Sequence, residues 1–257
     1  MNKLLMAAVA GLMISSAWAV EGTIYTASDT TGKRGKITWQ SRPRTYTVSV
    51  KKGATMVDLE VKADDVTRLD VAEPKELQVA IDQVNRGQAS AAIPTLSRIV
   101  QEYRMLNWDK PAARYLVEAY LAANNAQKAY ETAESVVRED KTAAYVGELA
   151  PAYWQALLKL GKTQALELNL KRAAAVGDRA AAAAALVMRG DMILAEGDTP
   201  ENHRKALTDG YLRVVLMYRD ELCKEARTAA LSKAAASFDR LGMASRAEDL
   251  RAQVKSL

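Results

Sequence analysis

From residue 22 to residue 71 the chain alternates apolar and polar side chains. Lys36-Ile37-Thr38-Trp39-Gln40, Tyr46-Thr47-Val48-Ser49-Val50 and Met56-Val57-Asp58-Leu59-Glu60-Val61 each read in twos. That is the period of a strand with one face buried and the other wet. Turn-forming residues at 29–35, 41–44 and 51–53 separate them, and a short turn at 63–65 precedes a last strand at 66–71. With a first strand at 23–27, the pattern predicts five short antiparallel strands curled into a small β barrel.

After Glu73-Pro74 the period changes. Leu77, Ile81 and Val84, then Ile93, Leu96, Ile99 and Val100, recur at helical spacing. Gly87, Asn124, Gly161, Gly197 and Gly242 punctuate this region at intervals of 37, 37, 36 and 45 residues. Glycine and asparagine adopt the left-handed conformation that ends a helix, so each mark predicts a hairpin between two antiparallel helices. Five residues after the mark stand Ala92, Ala129, Leu166 and Ala247; an insertion, Asp198-Thr199-Pro200-Glu201, delays the fourth hairpin's alanine to Ala206. A small residue there lets the second helix cross the first closely. Alanine runs at 173–175 and 180–185 serve the same close packing. A recurring interval of this size signifies stacked helical hairpins that share one continuous core.

The segment from Leu116-Val117-Glu118-Ala119-Tyr120 through Asn124 to Ala129 and Ala133, with Phe238, Gly242 and Ala247, resembles the tetratricopeptide-repeat family. The resemblance covers residues 75–257, with departures at Gln83, Trp154 and Leu166 and few of the prolines usual between repeats. It implies a mainly α fold, a right-handed superhelix of about five antiparallel helix pairs. Its groove-facing positions fall on Arg114, Glu118, Leu121, Gln155, Lys159, Asp191, Leu194, Asp239 and Arg240, which would clamp an extended protein or peptide partner. More weakly, Gly22-Thr23-Ile24-Tyr25, Gly35-Lys36-Ile37, Tyr46-Thr47-Val48 and Asp65-Val66-Thr67-Arg68-Leu69 resemble the small Sm-like or Src-homology-type barrels.

The amino terminus has the parts of a secretory signal. Lys3 is the positive start, residues 4–14 are apolar, and Ala17-Trp18-Ala19 puts small residues at −3 and −1 of a cleavage site. The apolar stretch is shorter than the ~20 residues a spanning helix requires. We therefore divide the chain into a signal peptide at 1–19, a β module at 20–73 and a helical repeat domain at 74–257. The expected destination is exported, periplasmic or envelope-associated, with secretion open and no membrane span in the mature chain.

Composition narrows the chemistry. The 257 residues carry 36 Lys+Arg against 31 Asp+Glu, a formal charge of +5, with one Cys and one His. A disulfide framework, a Cys/His zinc site and a His-rich catalytic centre are thereby excluded from a single chain. The charge excess is mild. Eight basic residues in the β module (Lys33, Arg34, Lys36, Arg42, Arg44, Lys51, Lys52 and Lys62) read as solubilising loop charges that guard strand edges, and nucleic acid is not the expected partner. Cys223 reads as a small buried side chain, with an intermolecular disulfide as the alternative, and His203 as a solvated helix-start residue. Asp64-Asp65 and Glu139-Asp140 read as turn or cap residues. No metal, cofactor or catalytic constellation is expected. The function expected is a non-catalytic, exported binding scaffold or adaptor. The alternatives are a permanent accessory subunit of an envelope assembly or secretion complex and, less favoured, a carboxylate-dependent cell-wall or glycan-active enzyme.

Overall fold

A computed structural model describes residues 18–257, so residues 1–17 of the expected signal peptide lie outside the described residues. The chain divides into two units. One runs to Glu73 and also takes Gln101–Asn107; the other is Pro74–Val100 with Trp108–Leu257.

The first unit is a five-stranded antiparallel sheet: β1 (Val20–Thr26), β2 (Asp29–Gln40), β3 (Thr45–Lys52), β4 (Thr55–Lys62) and β5 (Val66–Val71). The strand order is β4-β3-β2-β1-β5, with β4 and β5 at the two edges. The sheet is thus open, and the expected closure into a barrel is corrected. Alternation works as expected on the inner face, where Ile24, Ile37, Tyr46, Val48 and Val61 form the core. Two features depart from the pattern. Residues 29–35, expected as a turn, belong to β2; the reversal is the tighter one at 27–28. Hydropathy hides this part of the strand because it is polar on both sides. Asp29 holds it locally, accepting from the Thr31 amide at 3.1 Å and the Gly32 amide at 3.2 Å. The segment Gln101–Asn107, expected within the helical repeat, completes the sheet's core. Leu106 is buried there, the Tyr46 hydroxyl donates to the Met105 carbonyl at 2.9 Å, and the Asn107 amide donates to the Leu69 carbonyl at 2.8 Å.

The second unit is five helix pairs. The first helices are α1 (Leu77–Asn85), α3 (Asp109–Ala122), α5 (Leu149–Lys159), α7 (Arg179–Ala195) and α10 (Lys224–Arg240). The second helices are α2 (Ala89–Glu102), α4 (Ala126–Glu139), α6 (Thr163–Ala175) and α11 (Ala244–Lys255). In the fourth pair the second helix is broken into α8 (Pro200–Ala206), a π-helical turn (Leu207–Tyr211) and α9 (Leu212–Met217). First helices neighbour one another in chain order, α1 on α3, α3 on α5, α5 on α7 and α7 on α10.

The helix-ending marks are visible as hydrogen bonds. Gly87, Asn124, Gly161 and Gly242 have φ of 78°, 56°, 65° and 70°. After each, the next amide bonds back to the carbonyl five residues earlier: Gln88 to Gln83, Asn125 to Tyr120, Lys162 to Leu157 and Met243 to Phe238, all at 2.8–2.9 Å. This is the Schellman arrangement, and it satisfies carbonyls the helix end would otherwise orphan. Gly197 lacks that bond. There the insertion takes over, with Thr199 capping α8 and the Asn202 amide reaching back to the Gly197 carbonyl at 2.9 Å. The residues five after the marks, Ala92, Ala129, Leu166 and Ala247, and the delayed Ala206, are all fully buried. Trp154, off pattern for the family, is fully enclosed and its indole N–H donates to the Ala144 carbonyl at 2.8 Å. A buried tryptophan of this kind contributes roughly 3–5 kcal/mol against alanine.

Candidate functional site

A hollow of about 390 Å³ lies in the helical unit. It is lined by α3, α5, α7 and α10, the first helices of the second to fifth pairs. On α3, α5 and α7 the lining follows one rule. Residues ten and six before each helix-ending mark face inward: Arg114 and Glu118, Pro151 and Gln155, Val187 and Asp191. That four-residue spacing puts each couple on one helix face. Alanines between them, such as Ala184 on α7 and Ala229 on α10, leave the space that larger side chains would fill.

Of the groove positions expected from the sequence, the structure brings together Arg114, Glu118, Leu121, Gln155 and Asp191 around this hollow. Lys159, Leu194, Asp239 and Arg240 do not line it. Lys159 is exposed at the end of α5, and Leu194 packs against the core of the last two pairs. Asp239 is paired with Arg251 of α11, and Arg240 meets Asp198 at 3.0 Å. The physical reason is that α10 turns its amino-terminal end to the hollow. It contributes Glu225, Ala229 and Lys233, not residues near Gly242.

Two polar clusters organise the walls. In the first, Asp191 is almost enclosed and accepts from three elements at once: the Gln155 amide at 2.9 Å, the Tyr211 hydroxyl at 2.8 Å and the Lys233 ammonium at 2.9 Å. A buried carboxylate is tolerated when its lone pairs are filled and its charge is matched, and both conditions hold here. Burial first, and then the Asp191 charge, push the Tyr211 phenol upward, so it remains a donor. Tyr211 reaches Asp191 because Gly190 and Gly210 let α7 and the π-helical turn nearly touch. A Cβ on Gly190 would stand 2.4 Å from the Tyr211 ring, and one on Gly210 would stand 2.9 Å from the Gly190 amide nitrogen.

In the second cluster, Arg114 donates from Nε to Glu118 at 3.1 Å. Its two terminal nitrogens grip Glu225, with Nη1 at 3.3 Å from Oε2 and Nη2 on Oε1. Arg114 and Glu225 are 111 residues apart in sequence, so this fork ties α3 to α10 across the hollow. Burial works against the Arg114 charge, but the Glu225 and Glu118 carboxylates outweigh it and raise its pKa. Burial pushes Glu118 upward, and Arg114 opposes that shift.

Tyr211, Lys233 and Glu225 were not among the residues expected from sequence. The π-helical turn and the approach of α10 to α3 are tertiary events that no local spacing marks. The interval of 45 residues in place of 37 was the one trace of them in the chain. His203, expected to be solvated, is buried, with Nε2 2.6 Å from Asp198 Oδ1. Cys223 is buried, and burial pushes its thiol up to about 11. Among the described residues no group of three or more His, Cys, Asp or Glu is placed to hold a metal ion. Among them, too, no helix is long and apolar enough to cross a membrane.

No family model matches the chain, and no curated protein matches it. Among solved structures it is similar to a glutamine-to-methionine form of a chain described as a Podosopora anserina kinesin light chain with nearly identical TPR-like repeats. The identity is 18%, over 70% of this chain and 92% of that one, with a TM-score of 0.44. The same repeats without that substitution give 18% identity, the same coverage and a TM-score of 0.43. The likeness concerns the course of the helices, and nothing about ligand or partner rests on it.

Proposed function

We propose that the protein is a non-catalytic, exported scaffold that holds a short segment of another protein in the hollow between its first helices. The observation that carries this reading is the hollow itself. Four helices converge on it, and its lining is rich in alanine, with Leu121, Val187 and Met188 beside polar groups. Its volume suits one or two side chains and the backbone that bears them, the scale at which a protein segment is gripped. Its central polar groups are engaged with one another. Asp191 is saturated and Arg114 is held by two carboxylates, an arrangement in which these groups shape a surface. Export is proposed on Lys3, the apolar residues 4–14 and Ala17-Trp18-Ala19.

The test places a photo-crosslinking amino acid at Leu222, an exposed residue on the lining of the hollow, and separately at Leu168, exposed on α6. The full chain is expressed in its source cell. Position 222 should give a discrete crosslinked species that position 168 does not, and Ala184→Trp, which fills the hollow, should abolish it. Identical patterns from both positions, or persistence in the filled variant, would overturn the reading. Export has its own readout: the purified protein should begin at Val20.

A further inference from the structure

We propose that the segment held in the hollow is cationic, a stretch bearing Lys or Arg beside apolar side chains. This rests on the reading above and adds the chemistry of the partner. The chain as a whole is positive, at +5, yet the lining of the hollow reverses that sign. Arg114 and Lys233 stand among five carboxylates: Glu118, Glu148, Asp178, Asp191 and Glu225.

Both cations are already committed, Arg114 to Glu118 and Glu225 and Lys233 to Asp191. An anionic ligand would have to break these pairs and would then face the released carboxylates. A cationic one leaves them in place and meets the excess. Glu148 stands exposed at the start of α5, and Asp178 at the start of α7 accepts only from the Ala181 amide, at 2.9 Å. The amino-terminal ends of α5, α7 and α10 open on the same hollow and oppose this charge. Each contributes about half an elementary positive charge, too little together to cancel an excess of three carboxylates. The alanine-rich lining with Val187 and Met188 then accommodates the apolar neighbours of the incoming charge. Glu225 is the pivotal group. It is 75% exposed at its side chain, so its carboxylate remains open to a second cation while it holds Arg114.

Fluorescence anisotropy of three capped, labelled peptides tests this at 0.15 M salt. They are an Ala-Leu repeat with lysine at every third position, and the same repeat with glutamine or with glutamate in its place. The lysine peptide should bind at least tenfold more tightly than the glutamate peptide. Glu148→Gln combined with Glu225→Gln should weaken it at least fivefold, and Ala184→Trp should remove binding. Ala229→Trp serves as a second filled variant, with thermal unfolding checking that each is folded. If the glutamine or glutamate peptide binds as well as or better than the lysine peptide, and the filled variants block it, the charge assignment is overturned and the peptide-holding reading survives. If no peptide binds in a way the filled variants block, both are overturned.

Discussion

At the scale of the residue, the site depends on atoms that are absent. Gly190 carries no Cβ, and the Tyr211 ring occupies the place where one would stand. Gly190→Ala should therefore destabilise the protein by about 1–3 kcal/mol through overpacking. It should also move the Tyr211 hydroxyl from Asp191, read as a lower denaturation midpoint and a downward shift of the Tyr211 phenol in a spectroscopic titration. Tyr211→Phe should cost only about 1 kcal/mol, because Gln155 and Lys233 still fill the Asp191 lone pairs. Cys223 makes a separate prediction. Its folded thiol, pushed up to about 11, favours the neutral form. The stabilising contribution is therefore complete below the ordinary thiol pKa of ~8.5 and is lost as pH rises through the folded value. At pH 8 iodoacetamide should modify native protein slowly and urea-unfolded protein quickly. Equal rates would show that the thiol is not enclosed.

At the scale of the element, helix ends obey local chemistry. A Cβ on Gly161 would meet nothing within 4 Å, so the cost of Gly161→Ala is the left-handed backbone alone, about 1–2 kcal/mol. Asn124→Gly should be neutral or slightly stabilising, since asparagine already bears part of that cost at φ 56°. Chemical denaturation of the two variants checks the order. These ends were legible in the sequence because each is closed within six consecutive residues around a glycine or asparagine. The beginning of β2 was not, because Asp29, Thr30, Thr31 and Lys33 carry no hydrophobic alternation and are held by partner strands and the Asp29 carboxylate. The fourth pair's broken second helix was legible only as added length.

At the scale of the helical unit, the fork of Arg114 on Glu225 decides the form of the hollow. The resemblance implied a superhelix with a groove along it; α10 approaches α3 closely enough for two side chains to bridge them. Arg114→Met would leave Glu118 with burial and no compensating charge. Its folded pKa, already raised, would then rise further. A raised carboxylate pKa contributes stability that is present below the unfolded value of ~4.3 and is lost as pH rises through the folded one. The variant's deficit against the parent protein should thus grow between pH 4 and pH 7. Because Glu118 is partly exposed, the growth should stay within ~1 kcal/mol. Urea unfolding across that range measures it, and a constant deficit would mean that Arg114 does not act through Glu118.

The sequence by itself determined the strand faces, the helix ends and the buried alanines that follow them. Each is a contest among neighbouring residues over hydrogen bonds and water, and is settled within one turn or one strand. The resemblance to tetratricopeptide repeats implied groove positions that include Arg114, Glu118, Gln155 and Asp191, and these four line the hollow. Tertiary structure alone decided that the sheet stays open, that residues 101–107 join its core, and that α10 brings Glu225 and Lys233 to the hollow. The last of these joins residues 111 apart in sequence, so it depends on how every helix between them packs. Within that stretch, the close approach of Gly190 and Gly210 between α7 and the π-helical turn leaves no periodic signal in the chain.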